Sequence, residues 1–129
     1  MIEHIRLTQT ARDQLVTLKR RTGIAQWNIL CRWGLCRSLA EPAPPPAAKL
    51  VYDSNVEMTW RVFAGDYGDQ LWALMRYRCH LDGLPLDDEA VGQQLRLHLH
   101  RGIGYLVGDP RVTDIVGLIS LGVGEAPAA

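Results

Sequence analysis

Lys19, Arg20 and Arg21 stand in an unbroken row in this 129-residue chain, and Arg12 lies seven residues earlier, on the same side of a helix as Lys19. Such a row suits phosphate, because each cation offers charge and N–H donors, and each contact with a polyanion releases a counterion. A plainer account is also open: cations in the last turn of a helix complement its dipole by about 0.3–1 kcal/mol each at exposed sites. Arg6, Arg32 and Arg37 add to the row wherever they share its surface. Residues 1–37 hold these seven cations against Glu3 and Asp13, a net +5, so the remainder carries −5 and the whole chain has zero formal charge. That distribution lets one face meet an anion while the rest stays neutral or acidic; the competing reading is a scatter of solvated arginines.

A second run, Arg96-Leu-His98-Leu-His100-Arg101-Gly-Ile-Gly104, holds two histidines, and Cys79-His80 would be the obvious further metal ligands. In a helix His98 and His100 project roughly 200° apart, so they cannot share an ion unless the segment is extended. The expectation is therefore two polar helix positions, a glycine stop at Gly102 and no metal. Gly102 and Gly104 after a cationic turn could instead offer backbone N–H groups to a phosphate, a weak signal on its own. Asp87, Asp88 and Glu89 form the one dense group of carboxylates, and capping of a helix N-terminus accounts for them. With no phosphate-binding Gly-x-x-x-x-Gly-Lys loop, Gly-x-Ser-x-Gly elbow, His-Glu-x-x-His or Cys-x-x-Cys, the expectation is a protein without catalytic activity or cofactor.

Holding these groups in place requires a largely helical scaffold. His4-Ile-Arg-Leu-Thr8 alternates polar and apolar residues and predicts a short strand with Ile5 and Leu7 inward. Thr10 and Asp13 have capping-box spacing, which predicts a helix starting at Thr10 and stopping at Gly23. A second helix, over about 26–40, is apolar nearly all round, with Trp27, Ile29, Trp33 and Leu35 on opposite sides, so it is central to the core or to a subunit interface. Residues 41–48, with four prolines in eight, form a stiff extended spacer. Ser54 and Glu57 again have capping-box spacing and favour a helix over 55–64, although the same residues also alternate as a strand. Helices follow from Asp66 and Asp69 to Gly83, from Asp87 to Gly102, and from Asp109-Pro110 onward, with residues 122–129 as a flexible tail.

The length fits one domain, and 47% hydrophobic with 22% charged residues is enough apolar material for a core. The N-terminus carries Glu3, His4 and Arg6 where an export signal needs an apolar run, and the longest uncharged stretch, 115–124, is half a membrane span. Three cysteines, an odd number, fit reduced thiols in the cytoplasm. Cys31 and Cys36 lie roughly 140° apart on a helix, so they do not pair, and all three cysteines are expected as small buried hydrophobes.

One strand, a helix ending in glycine and a second apolar helix look like a ribbon-helix-helix unit, which would pair strands between two chains and turn His4, Arg6 and Thr8 toward DNA; an edge strand capping a helical bundle fits equally. Several stretches resemble the DndE family of the bacterial DNA sulfur-modification (phosphorothioation) system. They are Ile5-Arg-Leu-Thr, Leu18-Lys-Arg-Arg-Thr-Gly23, Asn28-Ile-Leu-Cys-Arg-Trp33, Asp53-Ser-Asn-Val-Glu-Met-Thr-Trp60 and Arg96-Leu-His-Leu-His-Arg-Gly-Ile-Gly-Tyr-Leu106, in order across positions 5 to 106. The resemblance implies a mainly helical single DndE-like domain over 1–121. It also implies a homo-oligomer, a tetramer, that binds duplex DNA, prefers nicked duplex, and works with DndC and DndD, in which the chemistry resides. The expected DNA-binding residues are Arg6, Arg12, Lys19, Arg20, Arg21, Arg32 and Arg37, with Lys19 and Arg21 inside a matched stretch. The family's contacts look lysine-based, whereas this chain has two lysines and 12 arginines, which keep the charge and add bidentate geometry. The alternative is an interaction subunit whose basic face docks an acidic partner protein.

Overall fold

A computed structural model describes residues 1–123. Its order is β1 (His4–Arg6), α1 (Gln9–Thr22), α2 (Trp27–Leu39), β2 (Glu57–Thr59), α3 (Trp60–Ala64), a 3-10 turn (Gly65–Tyr67), α4 (Gly68–Leu81), α5 (Asp88–Gly108) and α6 (Ile115–Val123). The expected mainly helical fold with a short N-terminal strand is what the chain adopts.

The largest packing contact is between α2 and α5, and it is set by glycine. A Cβ on Gly102 would fall onto the Gly34 carbonyl, and a Cβ on Gly34 would lie 2.9 Å from the Ile103 side chain. The two backbones therefore touch, and the crossing buries Leu30, Leu35, Leu95, Leu99 and Ile103 completely. Gly102 is thus no stop. The α5 helix continues to Gly108, beyond the expected end, because packing against α2 outweighs the roughly 1 kcal/mol that an interior glycine costs.

At the N-terminus Ile5 and Leu7 point inward, as the alternation requires, but the strand ends at Arg6. Thr8, not Thr10, caps α1: its backbone is extended and its hydroxyl accepts the Ala11 N–H at 3.1 Å. Asp13 instead accepts from Gln9 and Arg12. Gly23, in the left-handed region at φ 76°, closes the helix as expected.

β1 pairs antiparallel with β2 of its own chain, His4 opposite Thr59, Ile5 opposite Met58 and Arg6 opposite Glu57. On the other edge the His4 carbonyl accepts from Arg96. A ribbon shared between two chains is therefore not the pairing seen, and the edge-strand alternative describes β1 better. Ser54 does not start a helix; its hydroxyl donates to the Leu7 carbonyl at 2.7 Å and holds β2 beside β1. The strand and helix periods that overlap in residues 55–64 are used in turn, with Thr59 as the cap where one passes into the other.

The helix expected from Asp109-Pro110 starts later. Asp109 is tied to Arg111, residues 109–114 form turns, and the Asp114 carboxylate accepts the Gly117 N–H at 2.8 Å to start α6. Gly122 and Val123 belong to α6, and the rest of the expected tail lies outside the described residues. Cys31 and Cys79 are buried as expected, but Cys36 is exposed, because the turn of α2 that buries Leu35 faces it away from α5. Burial pushes the Cys31 thiol up to about 12. The side of α2 opposite α5 is partly covered within the chain: Lys19 lies over Trp27, and α6 approaches Trp33 at Gly122.

The glycine crossing makes a sharp prediction. Gly102→Ala should lower stability by about 3 kcal/mol or more, or prevent folding, since a Cβ there can be accommodated only by separating α2 from α5. Gly108→Ala, with open space around it, should change stability by less than about 1 kcal/mol. Urea denaturation of the two variants checks the contrast.

Candidate nucleic-acid interface

Lys19, Arg20 and Arg21 occupy the last turn of α1, where the Gly23 turn brings the chain round into α2. Their surroundings differ. The Lys19 Nζ rests 3.4 Å from the centroid of Trp27, the first residue of α2, and so is held at the surface with its charge outward. Arg21 donates to the Val107 carbonyl at 2.9 Å and so serves the C-terminus of α5, whose own last turn has no basic residue. Arg20 is exposed and, among the described residues, makes no hydrogen bond or ion pair. Arg12, two turns back on the same side of α1 as Lys19, leans on its neighbour Asp13 at 3.2 Å.

The other expected cations are dispersed. Arg6 is paired with Glu57 across the sheet at 2.7 Å. Arg32 turns inward and donates to the Phe63 carbonyl at 2.9 Å, capping α3, which takes it away from the α1 cluster. Arg37 lies over the Tyr105 ring, 4.9 Å from its centroid, and Arg101 lies over the same ring at 5.6 Å. Arg37 and Tyr105 border an open groove of about 500 Å³ that also takes in Gly104, Gly108, Asp109 and Arg111. Arg111 holds the Asp109 carboxyl below its usual range through a two-point hydrogen-bonded pair, with Arg37 adding to the shift. The last two turns of α5 therefore gather Arg21, Arg37, Arg101 and Arg111 around them. Arg101 and Arg111 were not among the expected DNA-binding cations. Arg101 was hidden in a run that drew the eye to histidine, although an arginine four residues before Tyr105 was a readable cue.

The histidines are accounted for without metal. His98 is buried, and its Nδ1 lies 2.8 Å from the Ser38 hydroxyl, which itself accepts from Arg101 Nε at 2.8 Å. The Ser38 hydroxyl, with one proton and two lone pairs, serves both Arg101 and Nδ1. Burial, then Arg78 and Arg101, pushes its pKa down to about 4. His100 faces the other way: its Nδ1 donates to the Arg96 carbonyl at 2.7 Å and its Nε2 accepts the Thr8 N–H at 3.2 Å, with burial lowering its pKa. The two rings thus diverge as a helix requires, and no group of three metal-binding side chains occurs among the described residues. Gly102 and Gly104 lie within α5, so their N–H groups belong to the helix and cannot cradle phosphate.

Beside His98, Arg78 is a buried cation that sequence reasoning missed. It pairs with Asp82 at 2.9 Å and donates to the carbonyls of Leu39, Glu41, Pro42 and Ala43, while Arg101 adds the Ser38 and Ala43 carbonyls. Together they fasten the proline-rich segment to α4 and α5.

The family model for the DNA sulphur modification protein DndE matches residues 4–114. The chain belongs to the DndE family. No curated protein matches it. Among solved structures, DndE from Escherichia coli B7A, described as involved in DNA phosphorothioation modification, is 21% identical with a TM-score of 0.69, over 82% of this chain and 97% of that one. A DndE mutant with two glycines changed to lysine is 19% identical with a TM-score of 0.66, over 84% of this chain and 100% of that one. At those identities the likeness establishes the DndE fold. No helix among the described residues is long and apolar enough to cross a membrane.

The His98 site predicts an acid-sensitive fold. A histidine whose folded pKa is depressed binds its proton more readily in the unfolded chain, so its stability contribution is complete above about pH 6.5 and declines toward pH 4. The loss should be on the order of 3 kcal/mol over that window. In His98→Gln the slope of stability against pH between 6.5 and 4.5, followed by urea midpoints, should be clearly shallower than in the wild type.

Proposed function

We propose that this DndE-family chain is a non-catalytic DNA-binding and assembly subunit of a phosphorothioation complex. Its domain, over residues 1–121, binds duplex DNA, with a preference for nicks, as a cytoplasmic homo-oligomer, a tetramer, alongside DndC and DndD. Family membership over residues 4–114 carries the reading, because the family is one of DNA sulphur modification. The contact surface centres on Lys19 and Arg20, which point outward from the end of α1, with Arg12 and Arg37 as flanking cations and Arg6 contributing from β1. Arg21 and Arg32 act mainly through carbonyls of their own chain, so their removal harms the fold as well as the ligand. Helix-end cations reach phosphates more readily than base edges, so binding is largely indifferent to sequence.

Lys19→Ala with Arg20→Ala should flatten the slope of log affinity against log salt by roughly 1 to 2, one lost counterion per lost phosphate contact. If the slope holds while capture of an acidic partner protein is lost, the basic face is a protein-docking surface instead.

The chemistry of sulfur insertion belongs to the partners in this proposal. Cutting a phosphodiester needs metals held by several carboxylates, or a nucleophile beside a base, and His98 and His100 are already committed to Ser38, Thr8 and Arg96. Supercoiled plasmid incubated with purified protein and magnesium, manganese or zinc should stay supercoiled. Nicking that disappears in the His98→Ala, His100→Ala double variant would make the protein an enzyme.

A further inference from the structure

α4 is apolar on two sides. Its inner side carries Trp72, Met75 and Cys79, all buried in the core. Its outer side carries Leu74, Tyr77 and Leu81, which are 43%, 59% and 61% exposed. Tyr67, 64% exposed, ends the 3-10 turn that leads into α4. Leu74, Tyr77 and Leu81 fall within about 60° of arc, and their 3-4 spacing is that of a helix-pairing seam. The inner side already anchors α4, so among the described residues nothing of its own chain covers this second stripe.

Beside the stripe runs a row of exposed residues at helical spacing, Asp69, Ala73, Arg76 and His80, with Asp66 before them. The acids fall in the N-terminal half of the row, and Arg76 and His80 in the C-terminal half. The midpoint of Asp69 and Arg76, the midpoint of Asp66 and His80, and the midpoint of Tyr67 and Leu81 all fall at positions 72 to 74. A two-fold axis at that point would set Asp69 opposite the Arg76 cation, Asp66 opposite the His80 imidazole and Tyr67 opposite Leu81, since in an isologous contact residue i meets j and j meets i.

We infer that the outer face of α4 docks a second copy of this chain, antiparallel, with Leu74 at the axis and Asp69 against the partner's Arg76. A nucleic acid does not suit the apolar stripe, and an anionic membrane does not suit Asp66 and Asp69; a second copy satisfies both the stripe and the row. This surface deepens the oligomer in the proposed function and rests on it. The two fail separately: association that Leu74→Glu leaves untouched removes the α4 contact alone, whereas a monomer removes the oligomer of the proposed function with it.

The test is association by sedimentation and light scattering at micromolar concentration, with circular dichroism to confirm folding. Wild-type protein should associate, and Leu74→Glu should lose a step of association with its helix content unchanged. Asp69→Arg and Arg76→Glu should each weaken association by at least about tenfold, as like charges come to face each other. Asp69→Arg combined with Arg76→Glu restores opposite charges across the axis and should recover affinity to within about threefold of wild type. A monomeric wild type, association untouched by Leu74→Glu, or a double variant in which the two losses simply add would overturn the inference.

Discussion

The contact between the Gly34 and Gly102 backbones governs much else in this molecule. With no side chain on either residue, α2 and α5 approach to backbone contact, and positions equally displaced from the crossing come into register. One turn beyond Gly34 is Ser38; one turn before Gly102 is His98; the two are hydrogen bonded. Arg101, next to Gly102, reaches the same serine and continues to the Ala43 carbonyl. The close approach thus creates a buried polar network at the end of α2, in which both arginines supply donors and, with burial, disfavour a charge on His98.

Arginine is used here for structure as much as for charge. Arg78 and Arg101 fan their N–H groups over the carbonyls where α2 gives way to the proline-rich segment, Arg32 caps α3, and Arg21 caps α5. A planar guanidinium with five donors can serve several carbonyls at once, which a lysine cannot. This suits a chain with 12 arginines and two lysines. Arg21, Arg32, Arg78, Arg96 and Arg101 hold backbone in place, so not every cation is free to face an anion.

The family resemblance rests largely on the same framework. In the string from Arg96 to Leu106, six of the residues are buried along α5: Leu97, His98, Leu99, Gly102, Ile103 and Leu106. The string from Asn28 to Trp33 lies in α2, against which that helix packs. Two of the resembling strings thus lie on the two helices of the crossing, and the cations at the end of α1 sit beside it.

Periodicity alone determined the mainly helical class, the inward Ile5 and Leu7, the Gly23 stop, the divergence of His98 and His100, and the cationic end of α1, because each depends on spacing within a few residues. Tertiary structure decided what local signals left open. Thr8 rather than Thr10 caps α1 because β1 must end where β2 leaves it. Gly102 continues a helix because α2 lies against it, and residues 57–59 become a strand because β1 offers an edge. The fate of each arginine was equally non-local: Arg32 and Arg37, five residues apart on one helix, reach Phe63 and Tyr105 respectively. A sequence records how many donors and acceptors a chain has, but which of them meet is settled by where distant carbonyls and rings come to rest when the helices cross.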